Sequence, residues 1–220
     1  LTDHGYMYGS VEFFKKAKER GIKPIIGCEC YICDNVEEKN KDSTTYHLVL
    51  LEKNEIGRQN LQKLIKESTK YKYRGKPRID WNMLSQYHDG LICLSACMAG
   101  EVSRALMNNN QFQAKQIALK YKELFGDDYY IEYQSHENDE QLELNRQLVN
   151  LANSLDIKYV VTCDAHYLTQ EDQKYHSIFV QIGQSREVGE TYNDCYIQSE
   201  EEILAKCLTT VEYNKIAVRN

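Results

Sequence analysis

The sequence has 220 residues, 42% of them hydrophobic, which is enough to bury one sizeable core. A formal net charge of −6 argues against a general nucleic-acid-binding surface, and no apolar run approaches the roughly 18 residues of a membrane span. Eight cysteines without a signal-peptide pattern point to reduced thiols in a cytoplasmic protein, not to a disulfide framework.

In chain order, "SVEFFKKAKER" (10–20) carries Val11, Phe14 and Ala17 at helical spacing, with Gly21 as a stop. "IKPIIGCECYIC" predicts a strand. The polar loop "DNVEEKNKD" separates it from a second strand, "STTYHLVLL" (43–51). Residues 54–69 predict a helix with Ile56, Leu61, Leu64 and Ile65 on one face. A short strand at 90–96 and a helix opening at "GEVSRALM" follow. Next come a helix "FQAKQIALKYKELFG" ended by Gly126, a strand "DYYIEYQ", and a long amphipathic helix "NDEQLELNRQLVNLANSL". "KYVVTCDAHYL" (158–168) opens with a strand. "CYIQSEEEILAKC" reads as a short strand, a Ser199 cap with acidic first-turn residues, and a helix. Strands alternating with helices predict an α/β fold, a largely parallel sheet or barrel, in a single domain spanning 1–220. The longest loops are expected at 34–44 and 70–79.

Chemistry-bearing residues gather at the strand ends. In "CDAHYL", Asp164 and His166 lie two residues apart just past a strand, so in extended chain they share a face. The pair suits metal ligation or acid–base work, and equally an Asp that orients a His in a loop. "LTDHG" places Asp3 and His4 after what reads as a strand truncated by the start of the chain. Glu29 falls inside the apolar run "IIGCECYI", facing opposite to Cys28 and Cys30, and a lone buried carboxylate needs a partner. His47 opens an apolar strand, and Cys97 follows one in "GLICLSACMAGE". In parallel α/β barrels the C-terminal strand ends carry the chemistry. His4, Glu29, His47, Cys97, Asp164 and His166 form a mixed N, O and S set that suits Zn²⁺, Mn²⁺ or Fe²⁺. Each alone has a plainer reading, a hydrogen-bonded core histidine or a small apolar cysteine. Cys28 and Cys30 read as packing residues, His88 as a solvated turn residue and His176 as structural; His136 is a candidate for lining the cleft.

The segment "KLIKESTKYKYRGKPR" collects Lys63, Lys66, Lys70, Lys72, Arg74, Lys76 and Arg78, with Tyr71 and Tyr73 interleaved. It is the one basic, aromatic patch in an acidic chain, suited to DNA or a partner, or else simply a solvated loop.

The ordered motifs "LTDHG", "GIKPIIGCE", "YHLVLLEKNEIGRQNLQKL", "KPRID", "GLICLSACMAGEV", "VVTCDAHYL" and "YIQSEEE" resemble the PHP (polymerase and histidinol phosphatase) domain of bacterial DNA polymerase III alpha subunits. The resemblance covers essentially the whole chain. It implies a distorted (β/α)₇ TIM-like barrel with a cluster of metal ions at the C-terminal strand ends. His4, Glu29, His47, Cys97, Asp164 and His166 are its metal ligands by this resemblance, and His4, Asp164 and His166 also its catalytic residues. Asp3 would orient a ligand. The family's first strand carries a His-x-His pair and an Asp ahead of the present Leu1, so the resemblance implies a barrel lacking that strand. It also implies an incomplete site and an inactive chain, with the polymerase domains beyond Asn220.

The function so implied is a metal-dependent phosphoesterase module, a candidate 3′–5′ proofreading exonuclease, within a replicative DNA-directed DNA polymerase. Its partners would be DNA, the sliding clamp and the proofreading subunit, with no membrane. The alternatives are a metal-stabilised docking module without catalysis, and a free-standing phosphatase.

Overall fold

The structure, a computed structural model, describes residues 1–39, 44–184 and 194–208. The start of the expected strand at Ser43 and part of the polar loop 34–44 lie outside the described residues. In chain order the elements are α1 (Ser10–Glu19), β1 (Gly27–Ile32), β2 (Tyr46–Glu52), α2 (Glu55–Ser68), β3 (Arg78–Ile79), α3 (Trp81–Tyr87) and β4 (Leu91–Leu94). They continue with α4 (Glu101–Met107), α5 (Gln111–Phe125), β5 (Tyr129–Gln134), α6 (Asp139–Leu155), β6 (Lys158–Thr162), α7 (Gln173–Gln184) and α8 (Glu200–Leu208).

The chain packs as two compact units. The first comprises Leu1–Ile131 with Leu151–Lys158, and the second Glu132–Asn150 with the described residues from Tyr159 onward. In the first, strands lie in the order β3-β1-β2-β4-β5; in the second, β6 lies beside β5. The sheet is mixed, a correction to the largely parallel sheet expected. β1 pairs antiparallel with β2 and β2 antiparallel with β4, whereas β1/β3 and β4/β5 are parallel. Among the described residues the sheet is open, with β3 at its edge in the first unit, and is not a closed barrel. Part of the reason lies in the β1–β2 connection. It contains no helix among its described residues, and a parallel return needs a crossover of a dozen or more residues, usually a helix.

The first residues of the chain continue the sheet. Gly27 N–H donates to Leu1 O (2.9 Å), Glu29 N–H to Asp3 O (3.1 Å) and Gly5 N–H to Glu29 O (2.8 Å). Leu1–Gly5 thus runs parallel to the first half of β1, while β3 takes its second half at Tyr31 and Ile32.

Helix starts follow from side-chain caps. Asn54, Asp80 and Asn110 each accept from the backbone N–H three residues on, opening α2, α3 and α5. Ser199 and Glu202 exchange reciprocal bonds ahead of α8, the capping box expected from the sequence. Gly126, at φ +57°, ends α5. On α2, Leu61, Leu64 and Ile65 are buried as expected, but Ile56 is exposed. On α1 only Ala17 is buried; Val11 and Phe14 stay exposed, so the apolar spacing there does not mark a core face. Cys28, Cys30, Leu50 and Cys93 fill the centre of the sheet, and Tyr121 stacks on Tyr129 at 5.4 Å beside it. His88 caps the end of α3, with Nδ1 2.8 Å from Ser85 O, and is half-buried rather than solvated.

Arg78 departs from the sequence reading most sharply. It is fully buried, and its guanidinium donates to Val36 O (2.6 Å), Glu38 O (2.8 Å) and Tyr71 O (3.2 Å). One planar fork thereby pins the segment after β1 to the segment before β3. Replacing it by Met should strand these carbonyls and cost about 3 kcal/mol or more of stability. Urea denaturation of Arg78→Met checks this, and Arg78→Lys should recover only part of the loss.

Candidate metal centre

Alternation along β1 sends Glu29 and Tyr31 to one face and Cys28 and Cys30 to the other. Glu29 is 5% exposed, and a carboxylate so placed must find donors. Two imidazoles supply them: His4 Nδ1 lies 2.8 Å and His47 Nδ1 2.6 Å from Glu29 Oε1. His4 arrives through the parallel pairing of Leu1–Gly5 with β1. His47 arrives through β2, where it faces Tyr31 in the register that sets Glu29 against Val49. The His47 N–H donates to Ala99 O (3.0 Å), which draws the turn after β4 to the same place, and Cys97 Sγ lies 3.4 Å from His47 Nδ1. Ala96, at φ +64°, takes a left-handed conformation that costs a residue with a Cβ, and it turns the chain into Cys97.

Burial would raise the Glu29 carboxyl, but the hydrogen bonds and charge of His4 and His47 outweigh it and hold the group down at about 2. Tyr31 packs against both rings, stacked on His4 at 6.5 Å and edge-on to His47 at 5.3 Å, while the two imidazoles lie 6.0 Å apart. Its own burial, and next the Glu29 carboxylate, push its phenol up to about 12.

Glu29, His47 and Cys97 each offer one ligand atom, all within 4.8 Å of one another. Around a tetrahedral ion with bonds of 2.0–2.3 Å, neighbouring ligand atoms stand roughly 3.3–3.8 Å apart. The three therefore need only side-chain adjustments to share an ion, and a carboxylate, an imidazole and a thiolate together suit Zn²⁺. The residues present fit a divalent metal.

In the second unit, Asp164 and His166 follow β6. His166 Nδ1 lies 2.7 Å from the Asp164 carbonyl oxygen, while the Asp164 carboxylate stands 3.9 Å off. The backbone, not the carboxylate, thus orients the ring. The His166 N–H donates to Cys195 O (2.7 Å), and His176 meets the His166 ring edge-on at 5.5 Å. Asp164 has φ +43°, again left-handed. Burial lowers the His136 pKa, with Asp164 and Asp194 opposing the shift, so His136 shares the surroundings of this pair.

Of the six candidate ligands, the first unit brings His4, Glu29, His47 and Cys97 together, and the second holds Asp164 beside His166. Asp3 acts through its carbonyl, which accepts from Glu29 N–H and, at 3.3 Å, from Cys28 Sγ; its carboxylate is 3.4 Å from Gly9 N. Two residues escaped the sequence reading. Tyr31 has no motif to mark it. Glu132, a carboxylate inside an apolar strand, carries the same signal as Glu29; it is 4% exposed and accepts from Thr162 Oγ1 at 2.6 Å.

A family profile described as the PHP domain matches residues 1–136. The chain belongs to the PHP domain family. The matched residues of this PHP chain include His4, Glu29, His47 and Cys97, while Asp164 and His166 lie beyond them. The chain is 39% identical over 214 residues to the DNA polymerase III subunit alpha of Borreliella burgdorferi, covering 92% of this chain and 19% of that protein. It is 35% identical over 212 residues to that of Aquifex aeolicus, with 92% and 18% covered. The namesake from Treponema pallidum is 42% identical over 188 residues, with 83% and 16% covered. The chain therefore spans less than a fifth of the length of these relatives.

The depressed Glu29 pKa fixes the sign of a pH effect. The stabilisation is complete above the unfolded value of about 4.3 and is lost as pH falls towards about 2. In chelator-treated protein, Glu29→Gln should melt below the wild type near neutral pH, the gap narrowing below about pH 4.5. Melting curves across that range measure it; a gap unchanged down to about pH 3 would place the stabilisation elsewhere.

Proposed function

We propose that this chain is the PHP module of a DNA polymerase III alpha subunit. It would act in cytoplasmic DNA replication and bind divalent metal to hydrolyse phosphodiesters, as a 3′–5′ proofreading exonuclease. The observation that carries the reading is the buried Glu29 carboxylate with His47 and Cys97 around it, ligand atoms within 4.8 Å of one another in a chain related to polymerase subunits. Proposed with it are completion of the sheet into a distorted (β/α)₇ barrel, and DNA, the sliding clamp and the proofreading subunit as partners.

A bound divalent ion would supply Lewis-acid polarisation of the phosphoryl group and acidification of the attacking water. Glu29 contributes the anionic ligand. His4 and His47 would hold the ion through a ring nitrogen in place of their bonds to Glu29 Oε1, and Cys97 would contribute a thiolate. Asp164 and His166 are proposed as further ligands on the family resemblance, and the Nδ1 bond of His166 to Asp164 O holds its ring beside that residue. With the His4 and His47 rings bonded to it, Glu29 keeps its charge at any physiological pH.

A second reading is favoured by one feature. The same carboxylate ties Leu1–Gly5 to β1 and β2, so the metal could serve folding rather than catalysis.

Variants in the polymerase-length protein separate the two. Glu29→Gln, His47→Ala and Asp164→Asn should each reduce metal content by elemental analysis and 3′-exonuclease rate by about 100-fold or more, with nucleotide incorporation retained. Unchanged exonuclease with a lowered melting temperature would establish the structural reading.

A further inference from the structure

Tyr31, which packs against the His4 and His47 rings, also carries a cation: Lys76 Nζ sits 4.6 Å from its ring centroid. Lys76 closes a two-residue hairpin with Tyr73, their backbones exchanging bonds of 3.0 Å in both directions. Arg74 and Gly75 fill the turn at φ +50° and +81°, the backbone of a type I′ hairpin turn. Beneath it, the buried Arg78 lies 5.1 Å from the Tyr73 ring and fixes the hairpin's base. Lys72, Arg74 and Lys76 are all exposed on this hairpin.

Aromatic rings lie alongside. Tyr8 is 85% exposed and stacks on Tyr6 at 4.9 Å with 12° between planes, and Lys72 Nζ is 5.3 Å from the Tyr6 ring. Gly5 joins the two groups: at φ +70° a Cβ there would fall 2.7 Å from Pro77 Cγ, so only glycine lets this segment lie against the hairpin. Three nearby acids are engaged. Glu67 pairs with Lys70 at 2.6 Å, Asp80 caps α3, and the Asp3 carboxylate faces Gly9 N. From Ser68 to Ile79 the sequence holds no carboxylate.

We propose that Tyr6, Tyr8, Lys72, Arg74 and Lys76 form a lane for single-stranded DNA that leads past Tyr31 to the Glu29 centre. The proposal rests on the reading of that centre as a phosphodiesterase and names its substrate form. An exposed, pre-stacked tyrosine pair offers a platform for an unpaired base. Three exposed cations on one short hairpin take phosphates, and release of their counterions drives binding. Duplex DNA keeps its base faces covered and would gain only the second contribution.

The test is fluorescence anisotropy of labelled oligodeoxythymidine, about 12 nucleotides long, with EDTA present and salt raised from about 50 to about 200 mM. Tyr8→Ala should weaken binding roughly tenfold. The double variant Lys72→Glu with Lys76→Glu should weaken it further and flatten the salt dependence. Both should melt and take up Zn²⁺ as the wild type does, which excludes misfolding. The lane is overturned if Tyr8→Ala binds as well as wild type, or if duplex of the same length binds as tightly as the single strand. It is also overturned if polyglutamate displaces the oligonucleotide from wild type and Tyr8→Ala equally, which would mark a docking face for acidic protein. The two readings fail separately. DNA binding lost in the lane variants, with metal content unaffected by Glu29→Gln, removes the metal centre alone. Metal lost in Glu29→Gln, with DNA binding unaffected in the lane variants, removes the lane alone.

Discussion

A carboxylate removed from water has to be matched by donors, and at Glu29 the donors come from two segments far away in sequence. The group can stay charged in the sheet interior only while Leu1–Gly5 lies along β1 and β2 keeps the register that sets His47 opposite Tyr31. A slip of one residue in β2 would send His47 to the other face and strand the carboxylate. The register of the first unit and the position of its most polar cluster are therefore a single constraint. Cys97 is drawn into it because the His47 backbone also holds the turn after β4.

The same unit contains a second buried ionic anchor of opposite sign. Arg78 satisfies its guanidinium with backbone carbonyls, where Glu29 uses side chains. The difference has chemical meaning. A cation bonded to fixed carbonyls can only hold structure, whereas a carboxylate bonded to imidazoles can exchange those partners for a metal ion. Function concentrates at the anchor whose partners are themselves ligands.

Much of this was legible in the residues. Helices with strong periodicity and marked ends, such as α5 with Gly126 and α8 with its Ser199 box, stood out because their signals are local. So did Glu29, since a carboxylate among apolar neighbours in a strand demands a partner. The antiparallel β1/β2 and β2/β4 pairings were hidden, because strand direction depends on which strands meet and not on their composition. β3 was too short to carry a period. Val11 and Phe14 misled because spacing shows that a face is apolar without showing that anything covers it. Arg78 looked like one more cation in a basic run; its burial depends on three carbonyls that no local pattern announces. Asp3 was noticed for its carboxylate yet acts through its main chain, a role open to almost any residue.

The hairpin at Tyr73–Lys76 bears on how the chain would age in a cell. Its neighbourhood is dense in lysine and arginine, and exposed loop tips of that kind are where trypsin-like proteases cut first. A protease must draw its substrate into extended form across the cleft. Here that would break two main-chain bonds, undo a turn with both central residues left-handed, and pull on a guanidinium seated among carbonyls. The most basic stretch of the molecule is thus shielded by geometry from the enzymes its composition would attract.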